Sequence, residues 1–306
     1  MNDNLKTEIS SSAAGFTAGA AAYAASSYTA LKVLNKGVKA IQPTVIPQEI
    51  HNRLNKGCKD MFIKEGFKAE GIEVADISTK AGKNIIDEQN YKKLHAIKER
   101  MAKAGYFERA YLARRLKYTL LGMQRSNKEV RCGKNASFNW GIGNKKVYIN
   151  TKNGMHMFPH ELGHAMNHRI LGEDGQRIVY GVLRNRKVSR YMIRTALLAS
   201  LLINNKKERK NNDSDNIIIR GVNFIKDNSA KLAFLALTPL VIEEGMASVH
   251  GQRMAKKYFN KDVMKYITKS HLHSFTSYLK LPVTACIAMY SAKKARDYVC
   301  QKLKDN

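Results

Sequence analysis

The chain has 306 residues, 44% of them hydrophobic, enough for one large domain or two small ones with a real core. Lysine and arginine number 53 against 25 acidic residues, a formal charge of +28 that suits an anionic membrane surface, acidic substrates or a solvated basic exterior. No zinc-knuckle or aromatic RNA-binding pattern is present, so no specific nucleic acid partner is expected. The four scattered cysteines, Cys58, Cys132, Cys286 and Cys300, form no CxxC pair; they argue against a disulfide framework and for free thiols in a reducing compartment.

The N-terminal stretch carries Asp3 and Glu8 where a secretory signal is basic, so it does not read as one. From Ile9 to Leu31 there is no charge, and the run is rich in Ala, Gly and Ser. Its length suffices to cross a bilayer. Its small residues equally suit a helix packed closely against other helices. Pro43 and Pro47 mark its end, giving an N-terminal segment over about 1–45 and a second domain over 46–306.

Residues 51–86 contain glycines at 57, 66, 71 and 82 and predict short elements. Glu88 to Met123 predicts two helices separated at Gly105. Gly141, Gly143 and Asn144 are turn material, Val147 to Ile149 a short strand, and Asn153-Gly154 a second turn. Pro159 then suits the first turn of a helix that runs to about Ile170, before Gly172. Two apolar stretches follow, Thr195 to Ile203 and Leu232 to Ile242, separated by a charged run from Asn204 to Asp215. They predict a hydrophobic hairpin over about 190–242 that dips into a membrane or packs in the protein. Leu281 to Ala292, with Pro282, is a further apolar segment.

The chemistry is concentrated in His160-Glu161-Leu162-Gly163-His164. On a helix, positions i and i+4 share a face. Two imidazoles so placed can share a zinc ion at roughly 2 Å. Glu161, rotated onto the neighbouring face, reaches a water on that ion as a general base. Gly163 leaves room for a close neighbouring element. A catalytic zinc takes a third protein ligand. The extended HExxHxxGxxH pattern is absent, because Asn167 and Ile170 occupy the positions that matter. His168 is one turn too far along the helix and reads as a surface or helix-end histidine. Glu244 is the best third ligand: a glutamate emerging from the apolar run Leu240-Val241-Ile242 is costly to bury without a partner.

HELGH with EExxAS far downstream resembles the gluzincin metallopeptidases, in style closest to the membrane-bound CAAX prenyl protease and heat-shock protease family. The resemblance covers about residues 156–254. It implies zinc held by His160, His164 and Glu244, with Glu161 as the base. Ser248 stands where the clan usually has an aspartate that orients a ligand histidine. His271 and His273 are candidate transition-state stabilisers, with His250, Tyr258 and Tyr278 further possibilities; His156 precedes the motif helix and could sit near the cleft, with a loop histidine as the default.

The expectation is therefore an α+β, predominantly α-helical, zincin-like domain. A short sheet precedes the active-site helix, and hydrophobic helices are inserted between the two motif helices. The expected activity is zinc-dependent hydrolysis of a peptide or protein substrate by a membrane-associated, cytoplasmic-facing enzyme, or otherwise a cytoplasmic one. The rival is a catalytically inactive, membrane-anchored structural protein with a vestigial zinc motif.

Overall fold

The computed structural model describes residues 3–41, 46–131, 136–139, 145–179, 186–202, 221, 224–225 and 227–305. Pro43, Cys132, Gly141, Gly143, Asn144 and the charged run over 204–215 lie outside the described residues. Among the described residues the chain is predominantly helical with one three-stranded sheet, the expected α+β class. It forms two compact units. One comprises Met1–Ile41, Leu171–Gly245 and His273–Asn306; the other comprises Gln42–Ile170 and Met246–Leu272.

In the first unit the charge-free N-terminal run lies within helix α1 (Asp3–Ile41). Ser11, Gly15 and Gly19, at i, i+4 and i+8, form its buried face. A Cβ at Gly15 would lie 2.2 Å from Cys300 Sγ, and one at Gly19 would lie 2.5 Å from Leu201 Cδ2. The Gly-x-x-x-Gly spacing thus lets α1 approach α6 (Arg186–Leu202) and the C-terminal part of a 45-residue helix, α9 (Lys261–Asp305). Of the two predicted apolar stretches, the first falls in α6 and the second is divided between α7 (Ser229–Leu235) and the helix after it; Ala196 and Ala233 share a core with Leu237, Ala285 and Met289. Pro239 interrupts nothing, because helix α8 (Thr238–Ala255) begins just before it and a proline in the first turn sacrifices no bond. The apolar run Ser229–Ala255 is long and apolar enough to cross a membrane by length and composition.

In the second unit the expectation of short elements over 51–86 needs correction. Helix α2 (Gln48–Lys64) is 17 residues long, with Leu54, Cys58 and Met61 buried on one face at i, i+4 and i+7. Gly57 does not break it: the ring of Phe259, some two hundred residues later, occupies the place a Cβ would take, 2.2 Å from it. Strand β1 (Glu73–Asp76) follows, and Thr79 caps helix α3 (Lys80–Lys103) by accepting from the Gly82 N–H. Helix α4 (Tyr106–Arg131) follows the expected interruption at Gly105. Strands β2 (Ser137–Asn139) and β3 (Lys146–Ile149) complete a sheet of order β1-β3-β2, with β1 parallel and β2 antiparallel to β3.

The sheet aims β3 at the motif. Val147 and Ile149 join a core with Phe158 and Leu162. Past Ile149, the Asn150 carbonyl accepts from the Gly154 N–H at 2.7 Å, closing a turn. Partial burial works against charge on Asp76, but donation from Thr151 and Ser78 overrides it and holds the carboxyl below its ordinary range. A single 3-10 turn (Met155–Met157) then feeds helix α5 (Phe158–Ile178), with Pro159 in its first turn. Gly172, at φ 61°, leaves the helical conformation where the sequence places the end of the motif helix.

Candidate metal centre

Helices α5 and α8 meet through their smallest residues. A Cβ on Gly163 would lie 1.9 Å from the Ala247 carbonyl oxygen, and one on Gly251 would lie 2.2 Å from that of Pro159. Only a hydrogen fits at either place, so the helices touch backbone to backbone. The glycine inside HELGH therefore has a packing reason. Gly163→Ala must force the helices apart; it is expected to cost at least about 2 kcal/mol. Thermal unfolding of the variant checks this as a lowered midpoint.

The close approach sets the chemistry. His160, His164 and Glu244 are all buried, and a donor atom from each lies within 4.8 Å of the others; this group could hold a metal ion. The two imidazoles lie with centroids 4.8 Å apart and planes at 82°. Tetrahedral zinc, with ligands at roughly 2 Å, needs donors about 3.3 Å apart. The donor set itself, two imidazoles and a carboxylate, is one zinc accepts. A carboxylate 1% exposed, as Glu244 is, carries a large desolvation cost that a shared divalent ion offsets. Glu161, the residue after His160, is also buried.

Ser248 lies one turn beyond Glu244 on α8, and its Oγ is 3.2 Å from His160 Nδ1. In the tautomer that frees Nε2 as a ligand, Nδ1–H donates to this hydroxyl and fixes the ring. The serine thus stands where it can fix the His160 ring. Ser248→Ala is expected to lower metal affinity by about 10-fold or more. Titration with a competing chelator reads the affinity directly.

His271 and His273 separate. His271 is buried, with its ring centroid 5.6 Å from that of His160. His273 follows by two positions, which turns it to the opposite side of α9. Burial and the neighbouring Lys280 lower the His273 pKa. Burial, then His160 and His156, push the His271 pKa down to about 3, with the nearby Ser248 backbone pulling weakly the other way. His271 is therefore neutral in the fold at neutral pH. The unfolded chain binds a proton that the folded chain refuses between the ordinary histidine value of 6.5 and about 3. Its contribution to stability is complete above that window and lost on acidification through it. His271→Gln is expected to flatten that part of the metal-free chain's stability profile, as measured by denaturant unfolding across pH.

Two further histidines are buried in or near the motif helix. His156 is buried in the 3-10 turn and acts electrostatically on His271. Its spacing of four before His160 repeats the interval inside the motif, a signal present in the sequence. His168 is buried, not at the surface, with its ring edge-on to Phe138 at 5.7 Å. The Tyr258 hydroxyl is engaged elsewhere, donating to Glu65 Oε1 at 3.1 Å. Cys58 is a buried thiol, as expected, and donates to the Met155 carbonyl; burial pushes its pKa far up. Cys286 and Cys300 are free as well.

No protein-family model matches the chain, and no match is found among curated proteins or solved structures. The likeness to the gluzincins therefore rests on the motif residues themselves.

Proposed function

We propose that the chain is a zinc-dependent endopeptidase of gluzincin type, associated with a membrane. The observation that carries this reading is the gathering of three buried donors, His160, His164 and Glu244, from motifs some eighty positions apart. Zinc bound there would lower the pKa of a water and polarise a substrate carbonyl. Glu161 takes the water's proton and passes it to the departing amine. His271, neutral and beside the ligand cluster, supplies an N–H to the oxygen that gains negative charge. Ser248 holds the His160 ring. The occupied serine position weighs against a vestigial motif, because the orienting contact is kept with a weaker group.

Membrane association is supported by the organisation of the first unit. Small residues, Ser11, Gly15, Gly19, Ala196, Ala233 and Ala292, stand in its interior beside the larger Leu201, Leu237, Met289 and Arg296. Bulky residues such as Tyr28, Leu198, Leu235, Leu281 and Tyr290 are exposed. Close helix contacts at small residues, with bulky apolar side chains on the exterior and a 27-residue segment apolar enough to cross a bilayer, suit helices packed in lipid. The deciding experiment is hydrolysis of an unfolded protein substrate by the purified full chain. Cleavage stopped by a chelator and restored by zinc supports the reading; absence of cleavage by the zinc-loaded chain overturns it.

A further inference from the structure

Helix α4 has an apolar stripe on the face turned away from its packing. Its inner face is Leu112, Leu116, Thr119 and Met123, all buried or half-buried. On the opposite face stand Phe107, Tyr111, Arg114, Tyr118 and Leu121, at i, i+4, i+7, i+11 and i+14. Phe107 is 87% exposed, and Tyr111 and Tyr118 are each 60% exposed. A soluble surface helix carries polar residues there.

The stripe begins at a braced turn. The Arg109 guanidinium donates to the Ala104 carbonyl at 3.2 Å, and Arg100 bonds Glu108 through two nitrogens at 2.9 and 2.6 Å. Tyr106, 83% exposed, stands edge-on to Phe107 with centroids 5.5 Å apart. This aromatic pair therefore projects from the braced first turn of α4. Arg115 and Lys117 are exposed and flank the stripe, and the Arg114 guanidinium lies 5.9 Å from the Tyr118 ring centre.

The geometry points to an anionic lipid surface as the occupant: α4 lies in the headgroup region with its aromatic stripe inward and its cations on lipid phosphates. Tyrosine and phenylalanine are suited to that boundary, and an amphipathic helix with basic flanks binds there by area and charge together. The chain's formal charge of +28 complements such a surface. A second copy fits poorly. The stripe has coiled-coil spacing, but it would bring two Arg114 side chains into one seam, among tyrosines that do not fill core holes. Nucleic acid would be met by the cations but leaves Phe107 and Leu121 without a role. This inference stands independently of the metal centre.

The test uses the full chain with a reporter in the stripe. Phe107→Trp is made together with Trp140→Phe, which removes the single native tryptophan. The protein is reconstituted in, or mixed with, vesicles of phosphatidylcholine alone or with phosphatidylserine, with and without brominated acyl chains. Emission from the indole introduced at position 107 is expected to shift to shorter wavelength and be quenched by brominated lipid when phosphatidylserine is present. Arg114→Gln with Arg115→Gln is expected to weaken this state about 30-fold, at roughly one factor of five per cation. Tyr111→Ser with Tyr118→Ser is expected to abolish it while leaving the melting temperature near that of the parent. Unquenched emission in every vesicle overturns the proposal. So does quenching that ignores phosphatidylserine, a dimer that Tyr118→Ser dissolves, or RNA binding that protects the reporter without lipid. A chain whose first unit proves soluble still gives the expected quenching with added vesicles, so the two membrane readings fail separately.

Discussion

Glu161→Gln is expected to lower peptide hydrolysis by about 100- to 10,000-fold while leaving one zinc per chain. The two effects separate because the proposed mechanism uses the residue as a base and not as a ligand. The amide keeps the size and much of the hydrogen bonding of the buried carboxylate but cannot take a proton. General base catalysis by a positioned carboxylate is worth a factor of that order. Metal analysis of the variant alongside a rate assay checks both halves. Full activity in the variant contradicts the assigned role, and loss of zinc contradicts the separation of base from ligand.

Glu244→Ala is expected to have the larger structural consequence. It leaves His160 and His164 as the only members of the three-donor group, and two imidazoles from one helix turn do not complete a catalytic zinc site. Removing an orienting neighbour alone costs about 10- to 100-fold, so loss of the ligand itself should exceed about 100-fold in affinity. Stability should follow. A metal bound to the folded chain at roughly a thousand times its dissociation constant contributes about 4 kcal/mol, and the variant forfeits that linkage. The matched control is Glu243→Gln, which alters the adjacent buried carboxylate and should retain zinc. Calorimetric melting of parent, variant and control, with and without zinc, discriminates between them. A parent whose melting temperature ignores zinc, or a Glu244→Ala chain that still responds fully, argues against the ligand assignment.

The centre is legible in the sequence where its signal is local. HELGH announces itself because the spacing of its histidines is the pitch of a helix. Glu244 is legible because an acidic residue ending an apolar run demands a partner. Gly105, Gly172 and Pro159 mark boundaries because their backbone preferences act within one or two residues. What stays hidden depends on distant partners. Gly57 reads as a break until Phe259 fills the space beside it, so the sequence predicts short elements where α2 stands. His168 reads as exposed until Phe138 covers it. The gathering of α1, α6, α7 and the end of α9 into one unit cannot be read from a chain order that scatters them across three segments. His271 and His273 are indistinguishable by composition. The register of one long helix sends one toward His160 and the other away.

Zinc-edge X-ray absorption on the purified chain reads the ligand shell itself. The expected spectrum is that of a four-coordinate ion with two imidazole nitrogens and oxygen ligands at about 2.0–2.2 Å, losing one oxygen in Glu244→Ala. A shell containing sulfur, a shell lacking the paired imidazole scattering, or a chain that retains no zinc at equilibrium would contradict it.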